Sequence, residues 1–105
     1  MMRRVKVARM DELREDRGLC VDVEGRSIAL FLKDGKVFAM DDHCPHAGGP
    51  LGAGHVSHGV VMCPWHGWRF RIEDGVWADA PKAGVGVRCY PVEQSGDEVW
   101  LAVDW

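Results

Sequence analysis

Hydrophobic and polar residues alternate along most of the chain in short runs, which is the pattern of β-strands. The segments LCVDV (19–23) and VWLAV (99–103) each place every second apolar residue on one face. Gly or Asp-Gly pairs separate the runs, and Asp34-Gly35 between SIALFL and VFAMD is a strong hairpin signal. No segment shows a sustained helical period. The pattern therefore predicts an all-β chain.

The remaining short apolar runs complete a series of predicted strands. Two glycine-rich stretches, Cys44–Pro50 and Cys63–Trp68, interrupt the series and are predicted to be loops. The coarse expectation is a β-sandwich or barrel that carries two loops. The further predicted strands are RVKVARM (4–10), GVVMC (59–63), RFRI (69–72), VWADA (76–80, after an EDG hairpin turn) and VGVRCYPVEQ (85–94).

Composition narrows the possible functions and locations. The chain has 105 residues, 47% hydrophobic and 28% charged, with a net charge of −3. A chain of this length suits one compact domain. Its negative net charge gives no electrostatic reason to expect binding to nucleic acid. No apolar run is long enough for a signal peptide or a membrane span, so the cytoplasm is the expected location. Thiols stay reduced there, and we expect reduced Cys20 and Cys89, a disulfide between them being the alternative.

Two pairs of Cys and His residues lie in the predicted loops. The first pair is Cys44 and His46, and the second is Cys63 and His66. Two thiolates and two imidazoles can hold one tetrahedral zinc ion, or a [2Fe–2S] cluster with Cys on one iron and His on the other. Zinc sites of this composition usually pair like ligands locally, whereas each local pair here is mixed. The spacing favours the cluster, with a structural zinc module as the alternative.

The residues of the two loops resemble those of a known family. CPHAGGPLGAG and CPWHGWRF are similar to the C-x-H…C-x-x-H motif of Rieske [2Fe–2S] proteins, especially Rieske ferredoxins and the small Rieske subunits of nitrite reductases. The resemblance implies a Rieske-type fold of three antiparallel sheets. It implies one domain over residues 1–105, in which a cluster-binding subdomain covers about 42–82.

The resemblance also implies what the ligands do. Cys44 and Cys63 would hold the inner iron, and His46 and His66 the outer one, so that one [2Fe–2S] cluster is bound. An oxidised core with two thiolates and two neutral imidazoles carries no net charge. Its reduction potential is therefore higher than that of an all-Cys cluster, within roughly −150 to +300 mV for Rieske centres.

Four positions depart from the high-potential members of that family. Those proteins carry a disulfide between the two loops, where this chain has Gly49 and Trp65. They also carry a Ser and a Tyr that donate to the cluster sulfurs, where this chain has Trp68 and Phe70, which lack hydroxyls. We therefore expect a potential at the low end of the range, which does not suit quinol oxidation.

The function implied by the resemblance is one-electron transfer. The protein would pass electrons from a flavin-dependent reductase to a terminal oxygenase or reductase, by transient docking at the His46/His66 tip, without itself transforming a substrate. At 105 residues, we expect no catalytic domain of the kind that Rieske oxygenases add. The alternative is the small Rieske subunit of an assimilatory NAD(P)H nitrite reductase complex.

Other aromatic and imidazole groups surround the motif. His55 and His58 are expected to be solvated or locally hydrogen-bonded on a turn or strand edge. Trp65 and Trp68 flank His66. They are expected to cover the cluster or to form a docking surface, and the alternative is that they pack in the core. Pro81 is expected to begin a third loop near the cluster, by the same resemblance.

Overall fold

Short β-strands dominate the chain and form three antiparallel sheets. The computed structural model describes residues 2–46 and 48–105; Ala47, in the first predicted loop, lies outside the described residues. Two single 3₁₀ turns, Met10–Glu12 and Leu51–Ala53, are the helical elements within those ranges. The strands are β1 (Arg3–Arg9), β2 (Leu19–Val23), β3 (Arg26–Lys33), β4 (Lys36–Asp41), β5 (His55–Ser57), β6 (Val60–Met62), β7 (Arg69–Arg71), β8 (Cys89–Tyr90), β9 (Val92–Ser95) and β10 (Glu98–Val103).

The order of strands confirms the predicted fold class. One sheet has the order β1-β10-β9, a second the order β2-β3-β4-β8, and a small third sheet the order β5-β6-β7. All pairings within them are antiparallel. The first predicted loop connects β4 to β5, and the second connects β6 to β7. Both loops therefore begin or end at the small sheet.

The predicted hairpin joins β3 to β4. Lys33 pairs with Lys36 across the turn, and both central residues adopt left-handed backbone, Asp34 with φ of 52° and Gly35 with φ of 78°. This is the geometry of a two-residue type I′ turn, which matches the twist of the strands it joins. The local Asp-Gly signal was therefore sufficient to predict this connection.

The middle sheet is buried on both faces, which explains the nearly continuous apolar run of β3. Ile28 and Leu30 point into a core shared with the β1-β10-β9 sheet. Ala29 and Phe31 point to the opposite side, into a second core shared with the small sheet. Because successive residues of a strand face opposite sides, one strand supplies both cores. The second core lies directly beneath the two loops.

Two local predictions need correction. The strand predicted over VWADA is reduced to isolated bridges, in which Phe70 pairs with Trp77 and Val76 pairs with Gly86. Strand β5, whose three residues are too few to show a periodic pattern, was not predicted.

Cys20 and Cys89 are free thiols, so the alternative of a disulfide between them was wrong. None of the helices formed by the described residues is long and apolar enough to cross a lipid bilayer.

Candidate metal centre

The two Cys-His loops repeat the same backbone hydrogen bonds. In the first, the Cys44 amide donates to the Gly49 carbonyl (2.9 Å), and the Gly48 amide donates to the Cys44 carbonyl (2.7 Å). In the second, the Cys63 amide donates to the Trp68 carbonyl (2.7 Å), and the Gly67 amide donates to the Cys63 carbonyl (3.0 Å). Each loop thus folds back on its own cysteine.

The sequence carries a signal for this repeat that the spacing of Cys and His alone does not reveal. Both loops read Cys-Pro-x-x-Gly, from Cys44 to Gly48 and from Cys63 to Gly67. The two glycines have φ of 78° and 76°, a conformation that costs glycine little and other residues much more. The histidine stands at the third position of one loop and at the fourth position of the other. The same backbone therefore presents its imidazole differently in each loop.

The four motif side chains divide into a buried pair and an exposed pair. Cys44 and Cys63 are 0% and 1% exposed and belong to the same buried cluster of side chains. His46 and His66 are exposed, and their ring centroids lie 5.2 Å apart with the planes at 85°. The structure thus brings the two loops together in one site, here called the tip, with the sulfurs inside and the imidazoles outside.

Gly49 makes room for one of the buried sulfurs. A Cβ atom at this position would lie 2.7 Å from Sγ of Cys63 and 3.0 Å from Cγ of Trp65. Real Cβ atoms essentially never approach other atoms within 3.0 Å. The glycine of the first loop therefore packs directly against the cysteine and the tryptophan of the second loop. By the family resemblance, Gly49 and Trp65 stand where the high-potential members carry the two cysteines of a disulfide between the loops. Here these two positions are in contact without such a bond.

An aromatic column supports the outer side of the tip. The rings of His46 and Trp68 are stacked, with centroids 4.3 Å apart and planes within 10°. Trp68 is in turn stacked on Trp77, at 4.0 Å and 1°. Trp68 is half-buried, whereas Trp65 is 57% exposed. The two tryptophans beside His66 therefore differ, since Trp68 packs between two other rings and Trp65 faces solvent.

One ion pair borders the column. The Arg69 guanidinium donates to the Asp79 carboxylate, and the Ala78 amide donates to the Arg69 carbonyl at 2.8 Å. The guanidinium holds the pKa of Asp79 below its usual range. These bonds attach the segment that follows Trp77 to strand β7. Pro81 lies in the exposed turn that follows, where the Ala83 amide donates to the Ala80 carbonyl at 3.0 Å.

His55 and His58, which lie between the two loops, take no part in the motif, as predicted. His55 opens β5 and forms an isolated bridge with Arg17. His58 lies in the β5-β6 turn, with φ of 51°, and its Nδ1 is 2.8 Å from the Ser57 hydroxyl. Both are exposed. Their contacts are those of a strand edge and a turn.

The donor set of the tip fits a [2Fe–2S] cluster. Burying two thiolates without compensating charge is costly, and a core of two positive charges would neutralise Cys44 and Cys63. The exposed imidazoles of His46 and His66 are neutral donors that add no charge. In the part of the chain that the structure describes, no three Cys, His, Asp or Glu side chains converge on a point where one metal ion could bind.

The departures from the high-potential pattern are visible in the structure. Phe70 is fully buried in the second core, and Trp68 stands between His46 and Trp77. Neither side chain carries a hydroxyl that could donate to a sulfur. A low reduction potential therefore stays a prediction, and its physical cause is the lack of hydroxyl donors to the cluster sulfurs at these two positions.

Known proteins resemble this chain over nearly its whole length. The ferredoxin component of a naphthalene 1,2-dioxygenase system from Pseudomonas aeruginosa is 31% identical over 90 residues, which cover 86% of each chain. A chain from the complex of reduced oxygenase and oxidized ferredoxin in carbazole 1,9a-dioxygenase has 26% identity and a TM-score of 0.82, and the match covers 92% of this chain and 99% of that one.

A third similar protein is named as an NADH-dependent nitrite reductase small subunit, from Mycobacterium tuberculosis. Its structure has 26% identity and a TM-score of 0.86, and the match covers 100% of this chain and 98% of that one. Three other curated relatives are much longer, and the match spans only 18%, 22% and 20% of their lengths.

The model of one protein family matches most of the chain. Residues 3–91 match the Rieske [2Fe-2S] domain, a span that contains both loops and the small sheet. The cofactor of that domain is a [2Fe–2S] cluster, in agreement with the donor set at the tip. The chain therefore belongs to the Rieske [2Fe–2S] family.

Proposed function

We propose that this protein is a one-electron carrier whose cluster is held by Cys44, His46, Cys63 and His66. The observation that carries the proposal is the pairing of two buried sulfurs with two exposed imidazoles at one tip. The cysteines would hold the inner iron and the histidines the outer one. The bound cluster supplies a centre that accepts and returns a single electron.

The surrounding residues support this role in distinct ways. The paired Cys-Pro-x-x-Gly loops fix the backbone on both sides, so that little rearrangement accompanies a change of charge. The apolar core beneath Cys44 and Cys63 excludes water from the sulfurs. His46 and His66 are the exposed members of the set, which makes the imidazole side the exit for the electron. Together these features give a rigid carrier with one open face.

We further propose that partners dock at the His46/His66 tip. Trp65, Met62 and Pro64 are exposed beside it, and large exposed apolar residues are typical of protein contacts. The similarity to the carbazole dioxygenase complex supports a terminal oxygenase as the acceptor. A flavin-dependent reductase would be the donor. Docking of this kind is expected to be small and transient.

The small subunit of an NAD(P)H nitrite reductase is the second candidate function. The similarity to the Mycobacterium tuberculosis protein favours it, since the match covers essentially all of both chains. Purification of the tagged protein from its native source separates the two candidates. A stable complex with a large reductase chain supports the subunit, and a free protein that reduces an oxygenase supports the carrier.

We also propose an extent and a location for this unit. Residues 1–105 would form a single domain, in which residues 42–82 make the cluster-binding part. The free thiols of Cys20 and Cys89 support a reducing compartment, and we place the protein in the cytoplasm.

Spectroscopy of ligand variants tests the ligand set. We expect the reduced protein to give the rhombic electron paramagnetic resonance signal of a Rieske centre, and His66→Cys to lower the potential or lose the cluster. The matched control is His55→Cys, because His55 is an exposed histidine of β5 outside the motif. The proposal fails if His66→Cys leaves both the signal and the potential unchanged, or if the protein is colourless and binds zinc stoichiometrically.

A further inference from the structure

Three aromatic rings from distant parts of the chain form a continuous column at the tip. His46 comes from the first loop, Trp68 from the end of the second loop, and Trp77 from the segment after β7. The centroid distances are 4.3 Å and 4.0 Å, and the ring planes are nearly parallel in both contacts. The column therefore connects the segments that build the tip through side chains alone.

The two tryptophans are anchored, whereas the histidine is not buried. The Trp68 carbonyl accepts the Cys63 amide at 2.7 Å, and the Trp77 amide donates to the Val85 carbonyl at 3.2 Å. Trp77 also bridges to Phe70, which is fully buried. Both tryptophans are half-buried, and His46 is exposed. The fixed end of the column is therefore the tryptophan pair.

An exposed imidazole would otherwise turn freely about its side-chain torsions, and ordering it costs conformational entropy. A flat aromatic face beneath the ring restricts that motion, since stacked rings attract one another. The orientation of a metal-bound histidine is normally set by a group outside the ligand set, most often one that accepts a hydrogen bond from its second ring nitrogen. For His46, the structure offers the indole face of Trp68 in this place.

We propose that Trp68, backed by Trp77, is a positioning residue that fixes the ring orientation of His46 as a ligand. The proposal rests on the ligand set proposed above. It also implies an asymmetry between the two outer ligands. His66 meets His46 edge to face, with centroids 5.2 Å apart and the ring planes at 85°, so His66 is not stacked in the column. Loss of Trp68 should therefore disturb the His46 bond to iron more than the His66 bond.

The test uses the cluster-loaded protein and pulsed electron paramagnetic resonance of its reduced state, which reports one nitrogen coupling for each ligand imidazole. In Trp68→Ala we expect one coupling to shift and the other to stay. In Trp68→Phe, which keeps a stacking face, the shift should be smaller. The loss of cluster to a chelator should accelerate by roughly two- to tenfold in the alanine variant. Trp100→Phe, on β10, is the control and should change neither quantity.

The outcomes separate positioning from mere support of the fold. Faster cluster loss in Trp68→Ala with both couplings unchanged would show a structural role only and overturn the proposal. If the alanine variant cannot be isolated with its cluster, the nitrogen couplings are measured in Trp68→Phe and Trp77→Leu instead. The same coupling must shift in both variants, and constant couplings in both reject the proposal.

A separate variant tests the ligand set on which the proposal depends. His46→Cys should remove one of the two nitrogen couplings from the spectrum. If both couplings survive that change, His46 is not a ligand, and the proposed ligand set fails whatever the tryptophan variants show. If one coupling disappears and it is the one that Trp68→Ala shifts, both the ligand and its positioning residue are supported.

Discussion

The carboxylate of Asp42 accepts a hydrogen bond from the Gly52 amide at 2.7 Å, and so closes the first cluster loop at its base. Asp42 stands before Cys44, and Gly52 follows the loop in the 3₁₀ turn Leu51–Ala53. The other carboxylate oxygen accepts the Ser27 hydroxyl at 2.8 Å, and the Asp42 amide donates to the Ser27 carbonyl at 3.1 Å. One side chain thus connects both ends of the loop to β3.

Removal of this carboxylate should destabilise the loop. In Asp42→Ala the partly buried Gly52 amide loses its partner, which costs about 1–3 kcal/mol of unfolding free energy. Asp42→Asn keeps an acceptor oxygen and should cost less. We expect a lower urea midpoint and faster cluster loss in the alanine variant. The control is Asp22→Ala, which removes a longer bond (3.4 Å) in an exposed turn. Equal effects at both positions would contradict a specific role for Asp42.

The parts of the fold that the sequence predicted are those with local causes. The Asp34-Gly35 hairpin needs two residues with left-handed backbone, and a dipeptide is enough to signal it. The bond from Gly52 to Asp42 has no such signal, because it joins residues ten positions apart with no periodic relation. The column of Trp68 and Trp77 likewise depends on how β7 pairs with the segment that follows it.

The candidate site shows the same division between local and long-range causes. Spacing alone selected four residues, because donor chemistry restricts which side chains can hold iron. The structure adds that the ring centroids of His46 and His66 lie 5.2 Å apart and that both cysteines are buried. The indole beneath His46 could not be predicted, since an aromatic residue near a loop is as consistent with core packing as with a contact to the ligand.

Cys20 should be an unreactive thiol at neutral pH although the residue is exposed. Burial of its sulfur beneath Gly52, and then the neighbouring Asp42 carboxylate, raise its pKa to about 11. We expect the pH profile of Cys20 alkylation by iodoacetamide, followed by peptide mass spectrometry, to have a midpoint well above that of a free cysteine. Asp42→Asn should lower that midpoint. A profile in the parent protein centred near the ordinary thiol value of about 8.5 would contradict this explanation.

The same pKa shift predicts how stability responds to alkaline pH. The folded pKa lies above the unfolded one, so the neutral thiol contributes its full stability below the unfolded value. As pH rises beyond about 8.5, the unfolded chain ionises first, and the contribution is lost as pH approaches 11. Cys20→Ala should therefore lose less stability than the parent protein between pH 8 and 11. Parallel declines of the two proteins in urea unfolding would exclude this linkage.

Gly49→Ala should weaken cluster binding through steric contact. The added methyl group would lie 2.7 Å from Sγ of Cys63, and the nearest ring atom of Trp65 is 3.0 Å away. Either the first loop or the cysteine must shift, and a ligand displaced by a fraction of an ångström binds iron less well. We expect lower iron content per chain after purification, measured by visible absorbance and iron assay.

The control for this substitution is Gly96→Ala, in the turn between β9 and β10. Gly96 has φ of 61°, and a Cβ there meets nothing within 4 Å. The added methyl group should strain the backbone and cost about 1 kcal/mol of unfolding free energy, but leave the iron content unchanged. If Gly49→Ala binds iron as fully as Gly96→Ala, the close packing of the two loops has no bearing on the cofactor.

An ion pair between the middle sheet and the hairpin after β7 should make stability depend on acid pH. The Lys33 ammonium donates to the Glu73 carboxylate and lowers its pKa. A carboxylate with a depressed folded pKa contributes stability above its unfolded value, near 4.3, and loses it as pH falls through the folded value. Glu73→Gln should therefore be less stable than the parent protein at pH 7, and the difference should vanish towards pH 3. Both residues are solvent-accessible, so the effect should also shrink at high salt.

In a Lys33→Met background, Glu73→Gln should have no such pH-dependent effect. A difference that persists there in urea unfolding would assign the stability to another contact of Glu73.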